Sequence, residues 1–239
     1  MTLRALLVLV LTLTFAAAPF LTPPFTGYSP ETFPVVIDRP AIQPAGYAFS
    51  IWGVIYLWLI IHAAIGFWKR SKSLDWDETR LPLATSLGLG TLWLWIAPHF
   101  PLVATVVIFV MLVAAMAAFL AADEFYDRWL LSGPLGVYAG WLSAATAVSI
   151  GILLAGYGLL SNTETAYVMI VVVVAFASLI QFIRPEMPGY GVTVIWALAG
   201  IAFVNLNSHI FVSAAAGAAA FLLGSLLAWQ WRRRKALGH

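Results

Sequence analysis

The side chains most able to do chemistry here are aromatic, and they recur at helical spacing. Trp52 and Tyr56 stand four apart in one apolar run, so they share a helix face. Tyr138, Trp141, Ala145 and Val148 follow an i, i+3, i+7, i+10 pattern in another run, again one face. Trp93 and Trp95 lie deep in a third. Rings of this kind stack on a guest and shape a cavity; they do not transfer protons. The plain reading of such stripes is helix packing. Three separate helices carrying them, below an external loop that is itself aromatic, suit a flat apolar ligand held between ring walls.

Other chemistry finds little support. There is no glycine-rich phosphate loop, no HExxH and no G-x-S-x-G. Without cysteine there is no thiol catalysis, disulfide or iron–sulfur ligation. Lysine occurs only at positions 69, 72 and 235, outside every apolar run, which argues against a retinal Schiff base. No Asp or Glu falls in the middle of a run, as an ion-coupled transporter with buried carboxylates would require. His62 lies within the second apolar run, nearer its cytoplasmic end; a hydrogen bond to a neighbouring helix is its expected role, with porphyrin or metal ligation the alternative. Asn205, Asn207, Ser208 and His209 read as caps of adjoining helix ends, and Asp123, Glu124, Asp127 and Arg128 as solvated interface charges. No catalytic residue and no metal site emerges, and an enzyme is not the favoured reading.

The elements that must position the aromatics follow from composition. Apolar residues make up 62% of the 239 and charged residues 9%, against roughly 25% charged in a soluble domain, and the mean hydropathy is +0.95. Eight apolar runs stand between polar breaks: Leu3–Phe20, Tyr47–Trp68, Leu81–Ala97, Leu102–Ala122, Pro134–Gly156, Ala166–Ile183, Gly191–Leu206 and Ile210–Trp231. Runs this long and continuous predict spanning helices rather than the alternating strands of a membrane barrel. The expected fold is therefore all-α: a polytopic membrane bundle of about eight transmembrane helices.

Basic residues test that count. The N-terminus, the second, fourth and sixth loops and the C-terminus hold Arg4, Lys69, Arg70, Lys72, Arg80, Arg128, Arg184, Arg232, Arg233, Arg234 and Lys235; the opposite side holds only Arg39. This asymmetry predicts cytoplasmic N- and C-termini. Basic residues confined to helix ends and one tail give no reason to expect nucleic acid as a partner. The first run is expected to be a retained helix, since Pro19 would block signal cleavage after Ala18. The loop at 21–46 faces outside and is stiffened by Pro23, Pro24, Pro30, Pro34, Pro40 and Pro44, with Phe25, Tyr28 and Phe33 to pack it down; an ordered cap is expected. Trp68, Trp76, Trp129, Trp229 and Trp231 read as interfacial anchors. The small residues Ala214–Ala220 with Gly217 and Gly224 predict close helix packing within the chain, or alternatively a homodimer contact.

The segment Pro40-Ala-Ile-Gln-Pro44-Ala-Gly-Tyr47-Ala-Phe49-Ser-Ile-Trp52-Gly-Val-Ile-Tyr56 resembles the translocator protein family, also called TspO/MBR or tryptophan-rich sensory proteins. Tyr138-Ala-Gly-Trp141-Leu-Ser-Ala-Ala145 is similar to that family's fifth-helix signature, and Trp93 and Trp95 fall where its third helix has a tryptophan. The resemblance covers about the first 156 residues. It differs in the first loop, where Pro44-Ala45 replaces a double proline, and in Pro134, four residues before Tyr138. It implies a five-helix bundle over 1–156 with a pocket under the first loop, leaving 157–239 as three additional transmembrane helices and a basic tail. It further implies a pocket lined by Pro44, Tyr47, Phe49, Trp52, Trp93, Tyr138, Trp141, Ala145 and Val148, beside which the residue pattern places Tyr56 and Trp95. The implied ligand is a porphyrin, haem-like or similar planar apolar molecule, with no required cofactor. Binding, sensing or transport is the expected function; a light- and oxygen-dependent porphyrin-degrading enzyme, or an assembly subunit of a membrane complex, are the alternatives. The expected location is a bacterial inner membrane.

Overall fold

A computed structural model of the chain describes residues 2–23, 27–123 and 127–236; Pro24, Phe25 and Glu124, singled out above, lie outside them. Among the described residues the regular structure is helical throughout. It comprises α1 (Thr2–Leu21), α2 (Ile51–Trp68), α3 (Leu74–Ile96), α4 (Pro101–Ala121), α5 (Ser132–Gly156), α6 (Asn162–Ile183), α7 (Pro188–Val204) and α8 (Ile210–Ala236), with 3-10 turns at Pro30–Thr32 and Gly46–Ser50. Among the described residues six stretches are long and apolar enough to cross a membrane: α1, Gly46–Trp68, α4, α5, α6 and α8. The apolar α7 is shorter, with 17 residues. The helix α3 begins a full seven residues before its apolar run, so Asp75, Asp77, Glu78 and Arg80 occupy its first turns instead of the preceding loop. Leu102, Val106, Phe109 and Val113 of α4 are exposed, although that helix also buries Ala104, Ile108, Met111 and Ala115. A helix apolar on both its buried and its exposed faces belongs in lipid.

The helices group into two compact units. The first comprises Met1–Tyr28 and Ser50–Leu142, so it holds α1 to α4 and the first half of α5. Within it α3 packs on α4 and on α1, and α1 packs on α2. Pro19 sits inside α1, near its end. Backbone approach is close where glycine allows it: a Cβ on Gly90 would lie 2.5 Å from the Phe15 ring and 2.9 Å from Met111. Polar groups are shared between helices. The Ser86 hydroxyl donates to the carbonyl of Met111 (2.9 Å) and meets the Tyr138 hydroxyl at 2.9 Å, joining α3, α4 and α5.

The second unit comprises Ser29–Phe49 and Ser143–His239. The unit boundary thus falls inside α5, after Leu142, whereas the division expected at 156 coincides with the end of that helix. Here α8 packs on α7 and α6 through Val212, Ala216, Ala219 and Leu223, which gives the small-residue run an intramolecular role on that face. The proline-rich segment is tied to helices at several points. Val35 N–H donates to Gly156 O, and Ala45 N–H to Gly200 O. Asn162 accepts from Ala41 N–H (2.8 Å) and donates to Arg39 O. Asn205 is the C-cap of α7, as expected of a helix end, yet its amide reaches further and donates to Ala41 O at 2.8 Å.

These ties agree with the charge asymmetry. Within the first unit the start of α1 meets the start of α3 through Arg4 and Asp77, and the α2–α3 loop meets the α4–α5 connection through Arg70 and Asp127. Within the second, the proline-rich segment meets the starts of the α5–α6 and α7–α8 connections. Each set is one the basic residues assign to a single side.

Candidate functional site

The aromatic residues of α2 and α5 come together in the first unit. Four-residue spacing on α2 stacks Trp52 on Tyr56, with centroids 5.2 Å apart and planes 19° from parallel. Trp141 of α5 meets Trp52 edge-on at 6.1 Å. Trp52 and Tyr56 are half-buried, whereas Trp141 and Tyr138 are buried. Phe15 of α1, not singled out from sequence, stands edge-on to Trp52 (5.8 Å), Tyr56 (5.2 Å) and Tyr138 (5.9 Å). It lies in an unremarkable apolar run, and only the packing of α1 on α2 and α3 brings it here.

The other expected site residues are placed differently. Trp93 is half-buried and donates its indole N–H to Ala104 O on α4 (2.9 Å), while Trp95 is 57% exposed. Pro44, Tyr47, Phe49, Ala145 and Val148 belong to the second unit. There Tyr47 stands edge-on to Trp196 (5.6 Å) and Phe203 (5.5 Å) of α7, and Pro44 lies against Gly200. The Trp196 indole donates to Ala48 O. Phe49 is exposed, and Ala145 and Val148 are half-buried. Trp196 and Asn162 were missed because their partners lie more than a hundred residues away in the chain.

A polar cluster closes the other end of the first unit. His62 bonds Leu130 O through Nδ1 at 2.7 Å; a carbonyl only accepts, so Nδ1 carries the proton. Its ring stacks on Trp76 at 4.8 Å and 13°. His62 thus makes a hydrogen bond of the kind expected, but to the α4–α5 connection rather than to a neighbouring helix. Trp76 is a correction: it is 2% exposed and not an interfacial anchor, whereas Trp68, Trp129, Trp229 and Trp231 are exposed. Asp127 is another. Far from being simply solvated, it accepts from Nε and Nη2 of Arg70 and from the Trp76 indole (3.0 Å). Its backbone is left-handed (φ 53°), a conformation Asp tolerates better than most residues. The Arg70 guanidinium holds the Asp127 carboxyl below the usual carboxylate range, with the Trp76 N–H adding to the effect. Among the described residues no three His, Cys, Asp or Glu side chains come together to hold a metal.

An all-helical chain with several spanning helices and these exposed apolar faces is a multi-pass integral membrane protein. More specifically, the chain belongs to the family of TSPO-like proteins, whose family model matches residues 3–229. That match runs through α6 and α7 and into α8, well past the motifs of the first 156 residues. No curated protein and no solved structure matches the chain.

Proposed function

We propose that this membrane protein binds a planar, mainly apolar ligand, a tetrapyrrole being the best fit, at the wall formed by Trp52, Tyr56 and Trp141, and serves as its receptor or carrier. The observation that carries this reading is the near-parallel Trp52–Tyr56 pair, half-buried and met edge-on by Trp141. A further flat ring can extend such a near-parallel stack, and each added ring contact contributes about 0.5–1.5 kcal/mol beyond simple burial. Family membership supports the same reading. The residues at the wall stack and shape; none is placed for acid–base work, so recognition of ring area rather than of charge follows.

The test is quenching of tryptophan fluorescence by a porphyrin titrated into the purified chain in lipid nanodiscs. Saturable quenching that weakens about tenfold in Trp52→Ala, and less in the half-exposed Trp231→Ala, supports the proposal. Unchanged affinity in both Trp52→Ala and Trp141→Ala would remove it.

A further inference from the structure

The loop joining α2 to α3 carries three cations in four residues, Lys69, Arg70 and Lys72, and it surrounds an open cavity of about 420 Å³ together with Ser71, Ser73, Asp75 and Asp127. Charges on a membrane-protein loop are usually solvated and diffuse. This loop is held in shape. The buried guanidinium of Arg80 donates to the carbonyls of Gly66 (3.3 Å), Arg70 (2.8 Å) and Ser71 (3.1 Å) and to Asp77 (2.9 Å). Arg70 is fixed by its two bonds to Asp127, which leaves its Nη1 without a partner among the described residues.

The charge balance favours an anion. Of the two carboxylates at the cavity, Asp127 is engaged by Arg70 and Trp76, leaving Asp75 against Lys69 and Lys72. Asp77, close by on α3, is engaged by Arg4 and Arg80. The Ser73 hydroxyl makes no bond to the helix it precedes. The loop is bracketed by Trp68 and Leu74, each 72% exposed, so apolar surface adjoins the cations at both ends. A cation pocket rimmed by exposed apolar side chains, on the side the basic residues mark as cytoplasmic, matches a phospholipid: phosphate in the pocket, acyl chains along the rim.

We infer that the Lys69–Ser73 loop is a binding site for the phosphodiester headgroup of an anionic glycerophospholipid. The lysines and Arg70 donate charge-assisted hydrogen bonds to the phosphate oxygens, and the apolar rim selects a lipid over free phosphate.

The experiment is native mass spectrometry of the full chain released from micelles containing phosphatidylglycerol and phosphatidylcholine of the same acyl length. Preferential retention of phosphatidylglycerol is expected. The double variant Lys69→Gln/Lys72→Gln should bind it roughly thirtyfold more weakly, taking the usual contribution of each cation near an anionic surface. A control, Arg232→Gln/Arg233→Gln in the C-terminal tail, should retain it. Equal retention of both lipids, unchanged retention in the loop variant, or equal loss in the tail variant would overturn the inference. Displacement of the lipid by an equal concentration of inorganic phosphate would overturn the lipid assignment. Both lysines are exposed, so the loop variant should keep the wild-type melting temperature, and Lys72→Gln alone repeats the test with a smaller change.

Discussion

Truncating Phe15 to alanine tests the centre of the first unit. The ring is 4% exposed and meets Trp52, Tyr56 and Tyr138 edge-on. In a water-soluble core such a change costs about 3–5 kcal/mol, much of it lost transfer from water. A helix separated in lipid is already in an apolar medium, so that part shrinks and packing remains. Three ring contacts at ~0.5–1.5 kcal/mol each give about 1.5–4.5 kcal/mol. Leu13, two residues away on the same helix but 49% exposed, supplies the control; Leu13→Ala should cost within about 0.5 kcal/mol. The assay is reversible unfolding in mixed micelles with increasing SDS, followed by helical circular dichroism and tryptophan emission. If Phe15→Ala loses no more than Leu13→Ala, α1 does not seal the aromatic cluster and the reasoning fails.

Three further outcomes follow from other contacts. Asp127 has a carboxyl pKa held low in the folded state, so its contribution is present above about pH 4 and is lost as pH falls through the lowered value; Asp127→Asn should melt lower at pH 7 and show a flatter decline in acid, and parallel melting curves would contradict this. Arg80→Lys keeps the charge but loses the fork that reaches three carbonyls, so it should cost about 2 kcal/mol in the same unfolding assay, against a near-neutral Arg232→Lys. Asn205→Ala removes bonds to Ala41 O and Ile201 O, worth about 1 kcal/mol each, and should speed proteolytic cleavage within 29–49 severalfold; an unchanged cleavage rate would show that this anchor is dispensable.

The helices were legible because in lipid a long apolar run has few other options, and seven of the eight runs match a helix to within about five residues at each end. The exception is instructive. α3 extends back to Leu74 through charged residues that break an apolar pattern, and among them Asp77 pairs with both Arg4 and Arg80 within the fold. The start of α6 at Asn162 had a local sign, the Ser161–Glu164 capping box, that hydropathy alone passes over. In the candidate site, the Trp52–Tyr56 stack was readable because it is set by spacing on one helix. Phe15 and Trp196 were not, since each acquires its role from a distant segment. Trp76 misled for the same reason: its interfacial position along the chain says nothing of the histidine that covers it.

The ties of the proline-rich segment have one more implication. Asn162, Asn205 and Trp196 hold that segment by its backbone carbonyls, which every residue has, and by one amide, which every residue but proline has. Part of the instruction for its path is therefore written in α6 and α7, beside the buried Phe33, Ala41, Ile42 and Ala45 of the segment itself. Its outward side chains are free to be exchanged wholesale, for instance with an affinity tag or a fluorophore, while single changes at those three helix positions would release it.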